Sequence, residues 1–476
     1  MIKKSLLLIL SVLFSVFANA AILEYGGLRY NILKSDGIAE VVGYGSAPTG
    51  ALVIPESVYF EGVLCSVKTI ASGAFYGCAE ITSVEIPNSV ETIGHSAFEE
   101  CSGIETVSIG ENVTFIGDCA FCYCSSLTAL YIPAKVDSIG VCAFIRCYNI
   151  ESMTVSDSNK KFDSRGGCNA IIETATNTLI AGCQNTVIPE TVTGIGFRAF
   201  YEQAKLENLI IPNSVTTIGD ESIRDCFGLK TLTIGSGVTE IGYTAILYRS
   251  TALTDIYCYA VEPPAREDTY SSAQVTLHVP EEALEAYKST APWSEFGNIV
   301  AIAKYAEDVE IGNLTYNINT DSLTAEVAGY VTEPTGELVI PESVVYEGAV
   351  CKVTAICESA FDGCSDITSV AVPSTVARMD DNAFLGCTSL TAVHISDLEA
   401  WCNIQFGNET SSDDYSNPIY YANHLFLNEE EIVDLIIPES IDTVKARAFV
   451  RCNGLQSVTF PEGVKSIGIA SFRDCI

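Results

Sequence analysis

Hydrophobic positions recur at a fixed interval along most of this chain. Phenylalanine recurs every 23 residues at Phe75, Phe98, Phe121 and Phe144, and a cysteine follows each of them three residues later. A period in the twenties with apolar residues at fixed offsets is typical of a solenoid, in which each repeat buries its hydrophobic face against its neighbours. The pattern therefore predicts a stack of coils with one repeat to each coil.

Each repeat divides into three predicted segments. The run at 81–87 alternates apolar and polar residues with a bias to β-branched side chains, which predicts a short strand that ends at Pro87. The Ile93-Gly94 step supplies a glycine that either adopts a positive φ or lies close to a neighbouring backbone. A short helical turn that carries the phenylalanine is then expected. The predicted fold is a repeat solenoid of short strands and short helical turns, with about 23 residues to each repeat.

Cysteine is the second recurring core residue. It occupies the same offset in nine repeats, at Cys78, Cys101, Cys124, Cys147, Cys226, Cys364, Cys387, Cys452 and Cys475. We interpret these thiols as small buried side chains whose weak S–H groups meet the backbone. A ladder of disulfides is the alternative, but equivalent side chains of stacked strands project in parallel, which is poor bridging geometry. Cys168 and Cys183, which share one insertion, form a second candidate pair.

The chain also repeats itself at long range. Residues 28–31 match residues 314–317, and residues 54–58 match residues 340–344, both at an offset of 286. This duplication predicts two tandem units, each opened by a β-rich cap that covers its first repeat. The predicted segments are a signal peptide at 1–20, a first unit at 21–303 with a hairpin insertion at 156–187 and a closing segment at 258–303, and a second unit at 304–476 with an insertion at 396–435. The second unit stops before the strand that should follow, so we expect the natural chain to continue.

The first twenty residues indicate export. Lys3 and Lys4 precede an apolar run that ends in Ala18-Asn19-Ala20, which is the pattern of a cleavable signal peptide. No other stretch approaches the ~20 apolar residues of a membrane-spanning helix. The formal net charge of −35 argues against nucleic acid as a partner, because an acidic surface repels phosphate backbones. We therefore expect a secreted or cell-surface protein.

A candidate binding surface follows from the alternation within the strands. The outward residue of each strand should form one stripe along a concave face of the solenoid, where such proteins bind their partners. The stripe comprises Glu85, Ser108, Tyr131, Thr154, Ile210, Thr233, Tyr257, Ala371, His394, Ile436 and Thr459. Tyr131 and Tyr257 are its best anchors, since tyrosine offers a large contact area at low ordering cost. The alternative is that half-exposed strand positions simply favour such residues by β propensity.

Little in the sequence supports catalysis. The four histidines are scattered, and no motif of a metalloprotease, a serine hydrolase or a phosphate-binding loop occurs. Acidic runs such as Asp380-Asp381 lack the spaced ligands of a calcium loop, so they are interpreted as solvated faces. We predict no catalytic residue, metal or cofactor. One enzymatic alternative is a polysaccharide-acting site at the 396–435 insertion, built on Trp401, Tyr420 and Tyr421.

The repeat motif carries a resemblance to a known family. The pattern Ile-Pro-x-x-Val-x-x-Ile-Gly-x-x-Ala-Phe-x-x-Cys-x-x-Leu-x-x-Val, best seen at 109–132 with Gly110 in place of proline, resembles the BspA-type leucine-rich repeat. The resemblance implies a surface or secreted protein associated with adhesion to host matrix proteins such as fibronectin and fibrinogen. We therefore expect a non-enzymatic scaffold that binds a protein or glycan partner. The alternative is a structural spacer that presents a C-terminal domain.

Overall fold

The computed structural model describes residues 21–266, 274–408 and 415–475. The chain divides after Ala301 into two compact units. The predicted signal peptide at 1–20 lies outside the described residues. Within those residues no helix combines the length and the apolar character that crossing a membrane requires.

Each unit opens with a mixed sheet, in which the third and fifth strands pair parallel and the other pairs are antiparallel. In the first unit its strands are Ala21–Tyr25, Leu28–Leu33, Ile38–Tyr44, Ser57–Phe60 and Val63–Ile70. In the second unit they are Tyr305–Ile311, Leu314–Asn319, Thr324–Tyr330, Ser343–Tyr346 and Ala349–Ile356. Tyr30 and Tyr316 are buried at matching positions of the two sheets. Each opening sheet thus covers the apolar end of the repeats that follow it.

Each coil contributes a strand that continues a parallel sheet. In the first unit these strands are Gly50–Val53, Ile81–Glu85, Thr106–Ser108, Ala129–Ile132, Ser152–Val155, Asn208–Ile211, Thr231–Ile234, Asp255–Cys258, Thr276–Val279 and Asn298–Ala301. In the second unit they are Gly336–Val339, Ile367–Val372, Ala392–Ile395, Leu425–Leu427, Asp434–Ile436 and Ser457–Thr459. Neighbouring strands pair in register at the repeat interval, as Val84 with Val107. The predicted solenoid of stacked strands is confirmed.

Most coils have a second, shorter strand at the isoleucine-glycine step. The sequence pattern did not predict this strand. In the first unit these strands are Thr92–Ile93, Phe115–Ile116, Ser138–Ile139, Gly194–Ile195, Thr217–Ile218, Glu240–Ile241 and Ala265–Arg266. In the second unit they are Arg378–Met379, Gln405–Phe406, Thr443–Val444 and Ser466–Ile467. The glycine that follows permits close approach: a Cβ on Gly117 would lie 2.6 Å from the His95 backbone nitrogen.

The third side of each coil is a hydrogen-bonded turn, so the predicted short helical turn was wrong. Ser96 and Glu100 adopt positive φ on either side of Phe98, a conformation that an α-helix excludes. Alternate N–H groups of the turn donate to carbonyls of the next coil, as from Phe98 to Ala120 O at 2.8 Å. The turns are therefore joined by hydrogen bonds between coils, which a helix would have formed within itself.

A column of phenylalanine rings fills the centre of the stack. The ring centroids of Phe75 and Phe98 lie 5.1 Å apart, and those of Phe98 and Phe121 lie 5.2 Å apart, with nearly parallel planes. All three side chains are fully buried. The stack continues to Phe144 at 5.9 Å. The prediction that phenylalanine plugs each coil is confirmed.

Six of the nine recurring thiols donate to a phenylalanine carbonyl of the preceding coil. The Sγ of Cys101 donates to Phe75 O at 3.0 Å, and the Sγ of Cys124 donates to Phe98 O at 3.3 Å. Burial raises the pKa of Cys101 to about 12, so this thiol stays protonated and non-nucleophilic at neutral pH. Cys168 and Cys183 are both free thiols. The interpretation of the ladder as buried S–H donors is confirmed.

The first unit is interrupted between its fourth and fifth phenylalanine repeats. There the strands Ala170–Glu173 and Thr178–Gly182 pair as an antiparallel hairpin, preceded by Phe162–Asp163 and a 3₁₀ turn at Arg165–Gly167. The apolar core divides at this hairpin, because Ile171 packs with the preceding coils and Ile172 with the following ones. The stack is therefore discontinuous at this point.

Helices occur only outside the regular coils of the described residues. The first unit closes with 3₁₀ turns at Glu281–Ala283 and Trp293–Glu295 around the helix Leu284–Ser289. The second unit contains helices Leu398–Asn403 and Ile419–Ala422 in its insertion, and a two-residue strand at Glu430–Glu431. Trp401 is buried there and its Nε1 donates to Ala448 O at 3.0 Å. This tryptophan is thus a core residue.

Candidate functional site

The predicted stripe residues occupy equivalent positions on neighbouring parallel strands. The strand register pairs Glu85 with Ser108, Tyr131 with Thr154, Ile210 with Thr233, Thr233 with Tyr257, Ala371 with His394, and Ile436 with Thr459. The hairpin insertion separates the pair at Thr154 from the group that begins at Ile210. We call these positions the strand stripe. It forms several short columns within the two units.

Exposure differs along the strand stripe. Tyr131 is 44% exposed, and Glu85, Ser108, Thr154 and Thr459 are also exposed. Tyr257 and His394 are half-buried. A partner could therefore reach most of the predicted positions.

One predicted stripe residue is not available for binding. Thr233 is 5% exposed, between the larger side chains of Ile210 and Tyr257 on the adjacent strands. The two longer side chains cover the short threonine side chain. The strand pattern predicts which way a side chain points, but it does not predict this burial. The assignment of Thr233 to a recognition surface was wrong.

Two aromatic stacks on the strand stripe were not anticipated. The His278 ring stacks on Tyr257 with centroids 4.3 Å apart, and its Nε2 lies 2.8 Å from Asp255 Oδ1. The Phe426 ring stacks on His394 at 5.0 Å. A signal for the first was present in the sequence, because Thr276–Val279 alternates as the other strands do and places His278 at the outward position. Stacking fixes the orientation of these rings before any partner binds.

A second surface lies on the turns and combines arginines with aromatic rings. The guanidinium of Arg146 lies 4.3 Å from the centre of the Tyr123 ring, and that of Arg224 lies 4.1 Å from the Tyr248 ring. We call the turn residues Arg146, Arg198, Arg224 and Arg249, with their rings, the arginine surface. Four cations so close together are unusual in a chain with 25 basic and 60 acidic residues. Arginine and tyrosine are the residues that binding hot spots favour.

Carboxylates hold the arginine surface in place. Glu221 Oε2 accepts from both Arg198 and Arg224 at 3.0 Å. Glu202 accepts from Arg146 and from the Tyr148 hydroxyl. Because each of these carboxylates is largely buried, the arginine side chains are fixed by several bonds and lose little further freedom on binding.

A cleft of about 310 Å³ adjoins the arginine surface where the stack is discontinuous. Its walls are the turn around Cys142 and Phe144 on one side and the turn from Gly196 to Gln203 on the other. The side-chain oxygen of Gln203 has no hydrogen-bond partner among the described residues, although this residue is only 3% exposed. The sequence offered two signals for this cleft: the insertion at 156–187, and a glutamine at the recurring cysteine position.

Among the described residues, one group of side chains could hold a metal ion. Glu99, Cys119 and Cys122 place their ligand atoms within 4.8 Å of one another. Two thiolates and one carboxylate could supply three of the four ligands of a tetrahedral Zn²⁺ site. Burial raises the pKa of Cys119, which opposes the thiolate form that metal binding requires. The sequence prediction named no metal ligand, and it missed this grouping.

The histidines are not assembled into a catalytic group. Each pairs with a different carboxylate: His95 with Asp118, His278 with Asp255, His394 with Glu429, and His424 with Glu431. In the 396–435 insertion Trp401 is buried, while the Tyr420 ring packs edge-on against Tyr421 with centroids 5.2 Å apart. The three aromatic residues named for a polysaccharide-acting site therefore do not form one exposed platform.

Comparison with protein-family models gives a match over about two thirds of the chain. The model described as BspA type leucine rich repeat region matches in six copies over residues 61–168, 177–261, 350–418 and 419–476. No match was found among curated proteins. The matched segments leave out residues 1–60, 169–176 and 262–349.

Solved structures of bacterial leucine-rich repeat proteins also align with the chain. A leucine-rich repeat protein from Bacteroides ovatus is 22% identical over 95% of this chain and 92% of its own, with a TM-score of 0.35. A leucine rich cell surface protein from Faecalibacterium prausnitzii is 19% identical over 81% and 97%, with a TM-score of 0.26. The pneumococcal vaccine antigen PcpA is 14% identical over 94% and 98%, with a TM-score of 0.35. Because these TM-scores lie below 0.5, they carry no conclusion about this chain.

Proposed function

Since the chain belongs to the family of BspA-type leucine-rich repeat proteins, we propose that it is an exported recognition scaffold. It binds a protein or glycan partner at the cell surface or after secretion, and host extracellular matrix is the first class of partner to test. The strand stripe is the proposed binding surface. Catalysis has no part in this function.

One observation supports the proposal most directly. Exposed side chains of Tyr131 and Thr154 stand in register on parallel strands, and beyond the hairpin insertion the Tyr257 and His278 rings are stacked on neighbouring strands. Each strand keeps its inward residues for the core, so the outward positions are free to vary without loss of stability. Rigid aromatic side chains on such a surface are suited to binding, since few rotamers are lost on contact.

The test of the strand stripe uses two tyrosine variants. Tyr131→Ala and Tyr257→Ala should each weaken partner binding by about fivefold or more, because each removes an aromatic contact of hot-spot type. Binding is measured on arrays of matrix proteins and glycans, followed by a titration with the partner that the wild-type chain retains. Circular dichroism and thermal unfolding establish that each variant is folded.

Tyr59→Ala is the matched control, because Tyr59 is 70% exposed and lies in the opening sheet away from the strand stripe. It should leave affinity unchanged. Equal weakening by Tyr59→Ala and Tyr131→Ala, or retention of no partner on either array, would contradict the proposed function.

A further inference from the structure

The turns of the first unit form a regular series of hydrogen bonds from coil to coil. Three alternate N–H groups in each turn donate to three carbonyls of the next coil. In the third coil these bonds run from Cys119 to Val141 O at 3.0 Å, from Phe121 to Ala143 O at 2.9 Å, and from Tyr123 to Ile145 O at 3.0 Å. The same three positions bond in the first and second coils. Each turn thus offers a row of donors that points along the stack.

The fourth coil breaks this series. The equivalent N–H groups of Cys142, Phe144 and Arg146 have no hydrogen bond to any other described residue. The hairpin insertion follows this coil, and the next turn, at 196–203, reaches it through side chains, as Glu202 accepts from Arg146. By the geometry of the three preceding coils, these three donors point toward the cleft. We call them the open turn edge.

The second unit has an insertion after its corresponding turn, and there two of the three donors are satisfied. Phe384 N–H donates to Tyr415 O at 3.0 Å, and Gly386 N–H donates to the Tyr421 hydroxyl at 3.0 Å. These two donors occupy the positions of Phe144 and Arg146. The second insertion therefore covers its turn edge with one backbone carbonyl and one tyrosine hydroxyl. This arrangement indicates which acceptor groups fit the open turn edge of the first unit: a backbone carbonyl and a tyrosine hydroxyl.

The cleft provides further polar and aromatic groups beside the open turn edge. Gln203 contributes a buried amide whose oxygen is unpartnered, and it stands where other coils carry the recurring cysteine. Arg198, Tyr201 and the 47%-exposed Phe197 line the opposite wall. The volume of about 310 Å³ is at the small end of ligand sites, so it suits a few residues of a peptide.

We propose that this cleft binds a short, tyrosine-containing peptide segment of a partner protein. The peptide lies along the open turn edge: one backbone carbonyl accepts from Phe144 N–H, a tyrosine hydroxyl accepts from Arg146 N–H, and the Gln203 amide bonds the peptide backbone. In the preceding coils the same donors meet carbonyls at alternate positions of a curved turn, so the peptide is expected to curve along the open turn edge. This site is separate from the strand stripe, and it extends the proposed function.

The test measures binding of linear peptides to the full chain. The probes are a fluorescent synthetic peptide copying residues 415–421, and a displayed library of linear heptapeptides that starts with tyrosine at one position and is partly randomised at every position. Gln203→Cys restores the residue that recurs at this position, so it should fold while losing the amide. Ala181→Trp fills the cleft, since Ala181 lines it and is only partly buried. Ala252→Trp, at a partly buried alanine outside the cleft lining, is the matched control.

Wild-type protein and the Ala252→Trp control should bind library peptides equally, with tyrosine retained. Gln203→Cys and Ala181→Trp should weaken that binding about tenfold or more. Tyr131→Ala and Tyr257→Ala should leave it unchanged, which separates this site from the strand stripe. Selection of no peptide by the wild-type chain, selection without retained tyrosine, or equal binding by Ala181→Trp and wild type would overturn the proposal.

Discussion

Phe121→Ala should lower the free energy of unfolding by about 3–5 kcal/mol, the usual cost of removing a fully buried phenylalanine. The Phe121 ring is stacked between Phe98 at 5.2 Å and Phe144 at 5.9 Å, so its loss leaves a cavity lined by two other rings. The turns on either side are hydrogen-bonded to neighbouring coils and cannot collapse freely into that space. We therefore expect the upper part of this range.

Urea denaturation of the full chain, followed by circular dichroism and tryptophan fluorescence, measures this loss. Coincidence of the two signals tests whether the transition of each variant is cooperative, which repeat arrays do not guarantee. Phe227→Ala is the control, because Phe227 is 40% exposed and should cost less than about 1 kcal/mol. A loss below that value for Phe121→Ala would show that the ring does not fill the stack.

Gly117→Ala should lower the free energy of unfolding by about 3 kcal/mol or more, at the high end for overpacked sites. An added Cβ would lie 2.6 Å from His95 N and 2.7 Å from Gly94 C. Both contacts are to backbone atoms, so no side-chain rotation relieves them. The two coils must move apart, which also weakens the hydrogen bonds between them.

Gly77→Asn is the matched control for this prediction. Gly77 has φ +71° with nothing within 4 Å of an added Cβ, and Glu100 and Tyr123 occupy the same position in the next two coils with positive φ. Asparagine tolerates this conformation, so we expect a cost of about 1 kcal/mol or less. Urea midpoints of both variants against wild type provide the measurement. Similar losses for the two variants would mean that close packing at Gly117 is not the cause.

The sequence predicts the buried column well because its physical cause is local to each repeat. Phenylalanine and cysteine recur at the positions of Phe98 and Cys101 because every coil has the same space to fill in its core. The thiol bond to Phe75 O follows from the same equivalence, because a buried S–H needs an acceptor and the preceding coil presents one. In a repeat protein, the position of a residue within the sequence period therefore predicts its position in the core.

The turn conformation could not be predicted in the same way. Ser96 and Glu100 adopt positive φ, and neither residue type signals this conformation. The bonds between coils stabilise the turns, and such long-range partners are invisible in a single repeat. The adjacent alanine and phenylalanine of each repeat instead favoured the prediction of a short helical turn.

The cleft and the burial of Thr233 depend on neighbours in space. The open turn edge exists because the coil expected after Arg146 is replaced by a hairpin, and a repeat pattern describes only the coils that are present. Thr233 is covered by side chains of adjacent strands, which lie 23 and 24 residues away in sequence. Its outward register was correctly predicted, whereas its exposure required the sizes of both neighbours.

Amide hydrogen exchange in the turns of the first unit tests most directly the claim that its coils are joined by backbone hydrogen bonds up to the insertion. Mass spectrometry with fragmentation compares the N–H groups of Phe98 and Phe121 with that of Phe144. We predict slow exchange at Phe98 and Phe121, which donate to the next coil at 2.8 and 2.9 Å, and rapid exchange at Phe144. Equal protection at all three positions would contradict the account.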